Sequence, residues 1–143
     1  MNQFTASLWG DEAFSAILSQ KSVIGIVTTI IRDTSPPLYN LTEHYWFSLF
    51  GNSEVAIRAL SFFYYLLAVF FVYKIGEYLW NKKTGSLAAI LAFLNPFFFI
   101  YAFEGRMYSL LAFAVTASMY FFLKRRWVFY VLATTLALYT HHF

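Results

Sequence analysis

From Thr84 to Leu123 the chain runs about 40 residues with only two charges, Glu104 and Arg106, set two apart within "FFFIYAFEGRMYSLLAF". One helix of that length would reach about 60 Å, twice the hydrocarbon thickness of a bilayer. Two spans joined by a tight corner, with both charges at its apex, solve the problem more simply. Residues 59 to 73 are also uncharged, and Ser53 with Glu54 in front of them makes a good helix start. Helix from Glu54 to Trp80 would be about 40 Å long, enough to cross with tilt. The pattern predicts spans over about 54–80, 84–103, 107–123 and 127–143. Asn95-Pro96 falls inside the second as a tolerated kink. "WNKKTG" and "KRR" are the loops between them.

Residues 1–53 are amphipathic rather than spanning. Asp11 is a plausible N-cap for a short helix carrying Phe14, Ile17 and Leu18 on one face. Ser22 can open a second helix, "VIGIVTTII", too short to cross a bilayer. Thr34 and Ser35 before two prolines read as extended chain, and Pro37 suits the first turn of a third helix. That helix, Pro37 to Phe50, strings Leu38, Leu41, Tyr45 and Leu49 along one stripe and ends at Gly51. The whole segment is expected to lie on a membrane surface.

Composition agrees: 60% of residues are hydrophobic, 23% aromatic and 12% charged, against about 25% charged for a soluble domain. There is no cysteine, which excludes disulfides and thiolate metal sites. The net charge of +3 does not point to nucleic acid; its value lies in where the basic residues fall. Lys74, Lys82 and Lys83 are expected in one short loop and Lys124, Arg125 and Arg126 in the next on the same side, which the positive-inside rule makes cytoplasmic. Asp11, Glu12, Asp33, Glu43, His44, Arg58, Glu104, Arg106, His141 and His142 then fall outside. The start, "MNQFTASLWGDE", lacks the basic and apolar regions of a signal peptide.

Each candidate group has two readings. Asp11 and Glu12 are either helix-start acids suited to the macrodipole or a general base near the interface, where partial desolvation makes a carboxylate more basic. Arg58 and Arg106 either snorkel to the interface or clamp a phosphate, for which guanidinium has the right shape. Glu104 would orient or neutralise Arg106. His44 beside Glu43 and the pair His141-His142 are not ready metal sites, because neighbouring helical residues point about 100° apart. No metal is indicated by these residues, and a divalent cofactor stays open. Phosphate-loop and nucleophile-elbow motifs are absent.

Taken in order, "LWGDEAF", "DTSPPLYNLTEHYWFSLFGNSEVAIRALS", "NPFFFIYAFEGRMYSLLAF" and "LALYTHHF" resemble the N-terminal part of GT-C type membrane glycosyltransferases. The nearest in pattern are the bacterial members grouped with protein O-mannosyltransferases, aminoarabinose transferases and rhizobial lipopolysaccharide galacturonosyltransferases. The resemblance implies an all-α integral membrane fold, a multi-span helical bundle with amphipathic surface helices in its first outer loop. It implies an inverting enzyme of the inner or plasma membrane whose active-site loop is extracytoplasmic. Its donor would be a polyprenyl-phosphate sugar, its acceptor a lipid, glycan or protein hydroxyl, and its other partners membrane lipids. Asp11 matches the family's catalytic base, with Glu12 beside it. Arg58 and Arg106 are the expected cations for the carrier phosphate, and Tyr39, His44 and Tyr108 are expected to line the pocket. The family carries a span before the acidic pair and many more after it, so the chain is expected to be an incomplete piece, inactive alone. The competing reading is a non-enzymatic membrane component, such as a transporter or flippase-like subunit. That would place polar residues at mid-membrane depth, whereas the charges here gather at the ends of the spans.

Overall fold

The computed structural model describes Phe4, residues 6–33 and residues 36–141, the side chains of Arg32 and Asp33 excepted. The extended stretch expected at Thr34 and Ser35, the side chain of Asp33, and His142 lie outside the described residues. Among those described, the fold is all-helical: α1 (Gly10–Ser19), α2 (Val23–Asp33), α3 (Leu38–Phe50), α4 (Glu54–Leu79), α5 (Lys82–Leu94), α6 (Pro96–Ala102), α7 (Tyr108–Leu123) and α8 (Trp127–Leu138).

Local signals set most of the boundaries. The Ser22 hydroxyl accepts from the Gly25 N–H at 3.2 Å and opens α2. Ser53 does the same for Ala56 at 3.2 Å and opens α4. Gly51 ends α3 with φ 78°, in the left-handed region. At α1 the cap is Trp9 rather than Asp11, which becomes the second helical residue; Glu12, at the third, reaches back to the Trp9 N–H at 3.5 Å. The loop expected at "WNKKTG" shrinks to Trp80 and Asn81. Lys74 lies inside α4, while Lys82 and Lys83 are the first residues of α5, because the Asn81 side chain accepts from Thr84 N–H at 3.0 Å and starts the helix there.

α4 is the axis of the bundle, with α5 and α7 packed along it and α8 packed on α7. α4 and α5 cross at bare backbone: a Cβ on Gly76 would stand 2.8 Å from Gly85 Cα, and one on Gly85 2.7 Å from the Tyr73 carbonyl. The stretch expected as a kinked span over 84–103 is two helices, α5 and α6, meeting at 67°. Pro96 has no N–H to continue the ladder, so Asn95 caps α6 through Phe98 N–H at 3.0 Å, and the Tyr65 hydroxyl takes the Phe93 carbonyl at 2.5 Å. By length and composition α4 is long and apolar enough to cross a membrane, and the bent α5–α6 pair qualifies together; α7 and α8 are shorter apolar helices.

Side-chain contacts sort the two ends of the bundle. Lys124 Nζ stands 4.1 Å from the Tyr78 ring, so the "KRR" turn and the α4–α5 turn share one end. The corner at 103–107, the start of α4 and the end of α8 share the other. There α1–α3 pack: Trp46 Nε1–H donates to the Ala56 carbonyl at 2.8 Å and Leu38 N–H to the Tyr139 carbonyl at 3.3 Å.

The three short helices bury polar as well as apolar residues. Leu18, Ile26 and Ile30 form a small buried cluster with Leu41 against it. Otherwise α1 buries Glu12, Ser15, Ala16 and Ser19 and exposes Phe14 and Ile17; α3 buries Tyr39, Asn40 and Glu43 and exposes Tyr45 and Leu49. Phe14 and Ile17 are thus exposed where Leu18 is buried, and the α3 stripe points outward at its far end.

Candidate active site

Three parts of the chain, remote in sequence, meet at the capped end. Glu12 is 1% exposed and its carboxylate is fully occupied. Oε1 accepts the Gly105 N–H at 2.7 Å, and Oε2 accepts from Arg58 Nη2 at 3.1 Å. Arg58, equally buried, also donates to the Ala6 and Ser7 carbonyls. A buried pair in which both carboxylate oxygens and both terminal guanidinium nitrogens are hydrogen-bonded is the form in which the interior tolerates charge. Gly105 is obligatory here, since any Cβ would overlap Ile57 Cγ2. Glu12 and Arg58 thus lock residues 6–9, the first turns of α4 and the corner together.

Asp11, one residue earlier, points the other way. Its side chain is 62% exposed and ion-paired through Oδ2 with Arg106 Nη1. The Arg106 guanidinium lies 5.6 Å from the Tyr108 ring, and its N–H closes the corner on the Glu104 carbonyl at 2.8 Å. Tyr108 in turn packs on Tyr101, with ring centroids 4.8 Å apart, and faces His141 at 6.3 Å. Burial pushes the Glu104 carboxyl above its usual range; Arg106 works against the shift, and the charges of Glu12 and Asp11 add to it.

Asp11 and Arg106 line a cleft of about 290 Å³. Ser15, Tyr39, Asn40 and Thr140 complete its polar wall, and Phe14, Leu18, Ile30, Pro36 and Met107 its apolar one. Of the expected site residues, Asp11, Arg106 and Tyr39 come together on this cleft. Glu12 and Arg58 stand behind it, and Glu104 and Tyr108 flank the corner. His44 lies elsewhere, lining an open depression with Gln20 and Phe47, where its Nδ1–H donates to the Ser19 carbonyl at 2.9 Å. Among the described residues no group of three or more His, Asp and Glu is placed to hold a metal.

Ser15, Asn40, Met107 and Thr140 were not singled out from sequence, nor was the network behind them. Asn40 Nδ2 donates to Ser19 Oγ at 3.0 Å and to Ser15 Oγ at 3.1 Å, and lies 3.3 Å from the Ser15 carbonyl. Ser19 Oγ–H donates to Glu43 Oε2 at 2.7 Å, and the Tyr39 hydroxyl to Glu43 Oε1 at 3.4 Å. The available signal was spacing: Ser15 and Ser19 four apart, Asn40 and Glu43 three apart, each pair on one face of a largely apolar helix. Burial raises the Tyr39 phenol well above its usual range, with the Glu43 charge adding to it, so it stays a neutral donor.

Burial also pushes Glu43 from 4.5 up to about 7, against the hydrogen bonds from Ser19 and Tyr39, with Glu12 adding to the rise. The folded state therefore holds a proton that the unfolded state has released between those two values. The stability this gives is full below pH 4.5 and is lost as the pH climbs through 7, a fall of about 3 kcal/mol. In detergent, the unfolding midpoint should drop over that window, and Glu43→Gln should flatten the drop. Equal slopes for both proteins would contradict it.

A model of the dolichyl-phosphate-mannose-protein mannosyltransferase family matches residues 34–142. No curated protein and no solved structure matches the chain. The matched region supplies Tyr39, Asn40, Arg106, Met107 and Thr140 to the cleft and Arg58 behind it, while Asp11 lies ahead of the match. The family is membrane-embedded, consistent with the apolar α4. The chain belongs to the dolichyl-phosphate-mannose-protein mannosyltransferase family of GT-C type glycosyltransferases.

Proposed function

We propose that this chain moves a sugar from a polyprenyl-phosphate carrier to a hydroxyl of a lipid, glycan or protein, with inversion, on the extracytoplasmic face of the cell membrane. One observation carries the reading: an exposed carboxylate, Asp11, is paired with Arg106 on a cleft at the end of the bundle opposite the "KRR" turn. Asp11 takes the proton of the acceptor hydroxyl as its oxygen attacks the anomeric carbon. The bond from that carbon to the phosphate oxygen breaks, and the carrier phosphate leaves with the electron pair, needing a cation rather than an acid. Arg106 supplies it, as the one cationic side chain lining the cleft among the described residues. Glu12 and Arg58 are positioning residues, because their charges are spent on each other and on backbone. Tyr108 steadies Arg106 from the side.

On this reading α4, the α5–α6 pair, α7 and α8 cross the membrane, and the basic end is cytoplasmic. α1–α3 lie in the outer interface, with Ile17, Tyr45 and Leu49 turned to lipid. The test supplies the full-length protein with a radiolabelled polyprenyl-phosphate mannose. Label appearing on a hydroxyl acceptor with inverted anomeric configuration supports the reading. Movement of intact donor across vesicles without transfer would replace it with a transport role.

A further inference from the structure

The mechanism above leaves a buried amide of the cleft without a task. Asn40 lines the cleft at 9% exposure, and its amide orientation is dictated from behind. The Ser15 carbonyl can only accept. With Glu43 ionised, the Ser19 hydroxyl hydrogen is committed to Glu43 Oε2 at 2.7 Å, so Ser19 oxygen also meets Asn40 as an acceptor. The amide nitrogen must therefore face both serines, at 3.0 to 3.3 Å, and both its hydrogens are used there. What Asn40 has left for a ligand is Oδ1, an atom that accepts and cannot donate. The Ser15 carbonyl sets this sense, and ionised Glu43 reinforces it: it is the terminal acceptor of a chain running from Asn40 through Ser19, and its other oxygen takes the Tyr39 hydroxyl.

We propose that Asn40 Oδ1 accepts a hydrogen bond from a hydroxyl of the donor sugar, which makes Asn40 a specificity-determining residue and Glu43 the residue that positions it. The inference rests on the glycosyl-transfer reading and deepens it. The donor's sugar is the group concerned because it is bonded directly to the phosphate that Arg106 takes, and Arg106 and Asn40 line the same cleft. The acceptor needs to bring only its attacking hydroxyl to Asp11. An acceptor-only atom set in a nearly closed wall discriminates well, because a ligand lacking the matching hydroxyl leaves it desolvated and unpaired.

The experiment measures binding of mannosyl-phosphocitronellol, and of each of its monodeoxy analogues, to the full-length protein and to Asn40→Leu, Asn40→Ala and Glu43→Gln. Unfolding midpoints serve as the folding control. In the unaltered protein one analogue should bind about tenfold more weakly than the parent sugar, the others being less affected. That penalty should vanish in the Asn40 variants and shrink in Glu43→Gln, where the amide at 43 can donate to Ser19 and release the direction of the chain. A uniform loss across all the sugars in Glu43→Gln would make Glu43 merely structural and overturn its positioning role. If every analogue binds the unaltered protein as the parent does, the Asn40 assignment falls while the transferase reading stands, and this arm holds even when no variant folds. If the unaltered protein binds none of these donors, the transferase reading fails and takes the inference with it.

Discussion

Asp11→Asn in the full-length protein is expected to reduce sugar transfer by at least about 100-fold, at the lower end of what a positioned general base contributes. Asparagine keeps the size of the side chain and still offers Arg106 a carbonyl oxygen, so the corner and the cleft should keep their shape. What disappears is the basic oxygen that receives the acceptor's proton. Asp11 is more than half exposed and takes no part in the buried contacts of α1, so the unfolding midpoint and membrane insertion should hardly move. Transfer at a near-normal rate by this variant would remove Asp11 from the base role.

Its neighbour should behave in the opposite manner. Glu12→Gln is expected to cost about 3–5 kcal/mol of stability, because it strands the Arg58 guanidinium, buried with Glu12 as its only anionic partner among the described residues. The readout is the unfolding midpoint in detergent, compared with Asp11→Asn. Replacing both partners by leucine should recover only part of the loss, because the Gly105 N–H would still face an apolar group in place of Glu12 Oε1. A Glu12→Gln protein as stable as the parent would mean that the corner is held by something else. Two adjacent carboxylates thus separate by assay, one affecting chemistry and the other integrity.

How far the sequence speaks depends on the kind of signal. Helix starts at Ser22 and Ser53 and the stop at Gly51 are local chemistry, and they were legible because the cap needs only its own neighbours. The apex charges were legible too, since an uncharged run of that length cannot be one helix. The facing of α1 and α3 was not legible from the positions of their leucines and phenylalanines. A hydrophobic stripe states that a face avoids water without stating what covers it, and here the polar residues Ser15, Ser19, Asn40 and Glu43 turn inward toward one another. Asp11 and Arg106 were selected separately, and only the fold shows them as partners. Arg58 was chosen as a phosphate ligand on its charge alone; its place beside Glu12 depends on contacts between residues 46 positions apart, which no local pattern encodes.

The hydrogen bond from Gly105 to Glu12 closes a loop of 93 residues. Loop closure over such a distance grows dearer only as the logarithm of length, so the bond is affordable once formed. Its timing is another matter. During synthesis Glu12 emerges first and gains Arg58 with the start of α4, but must wait for its Gly105 donor until α5 and α6 have been made and the corner has turned. The contacts of Glu12 and Asp11 with the corner are complete only when the bundle beneath them is in place, so no chain that stops short of the corner has the finished cleft.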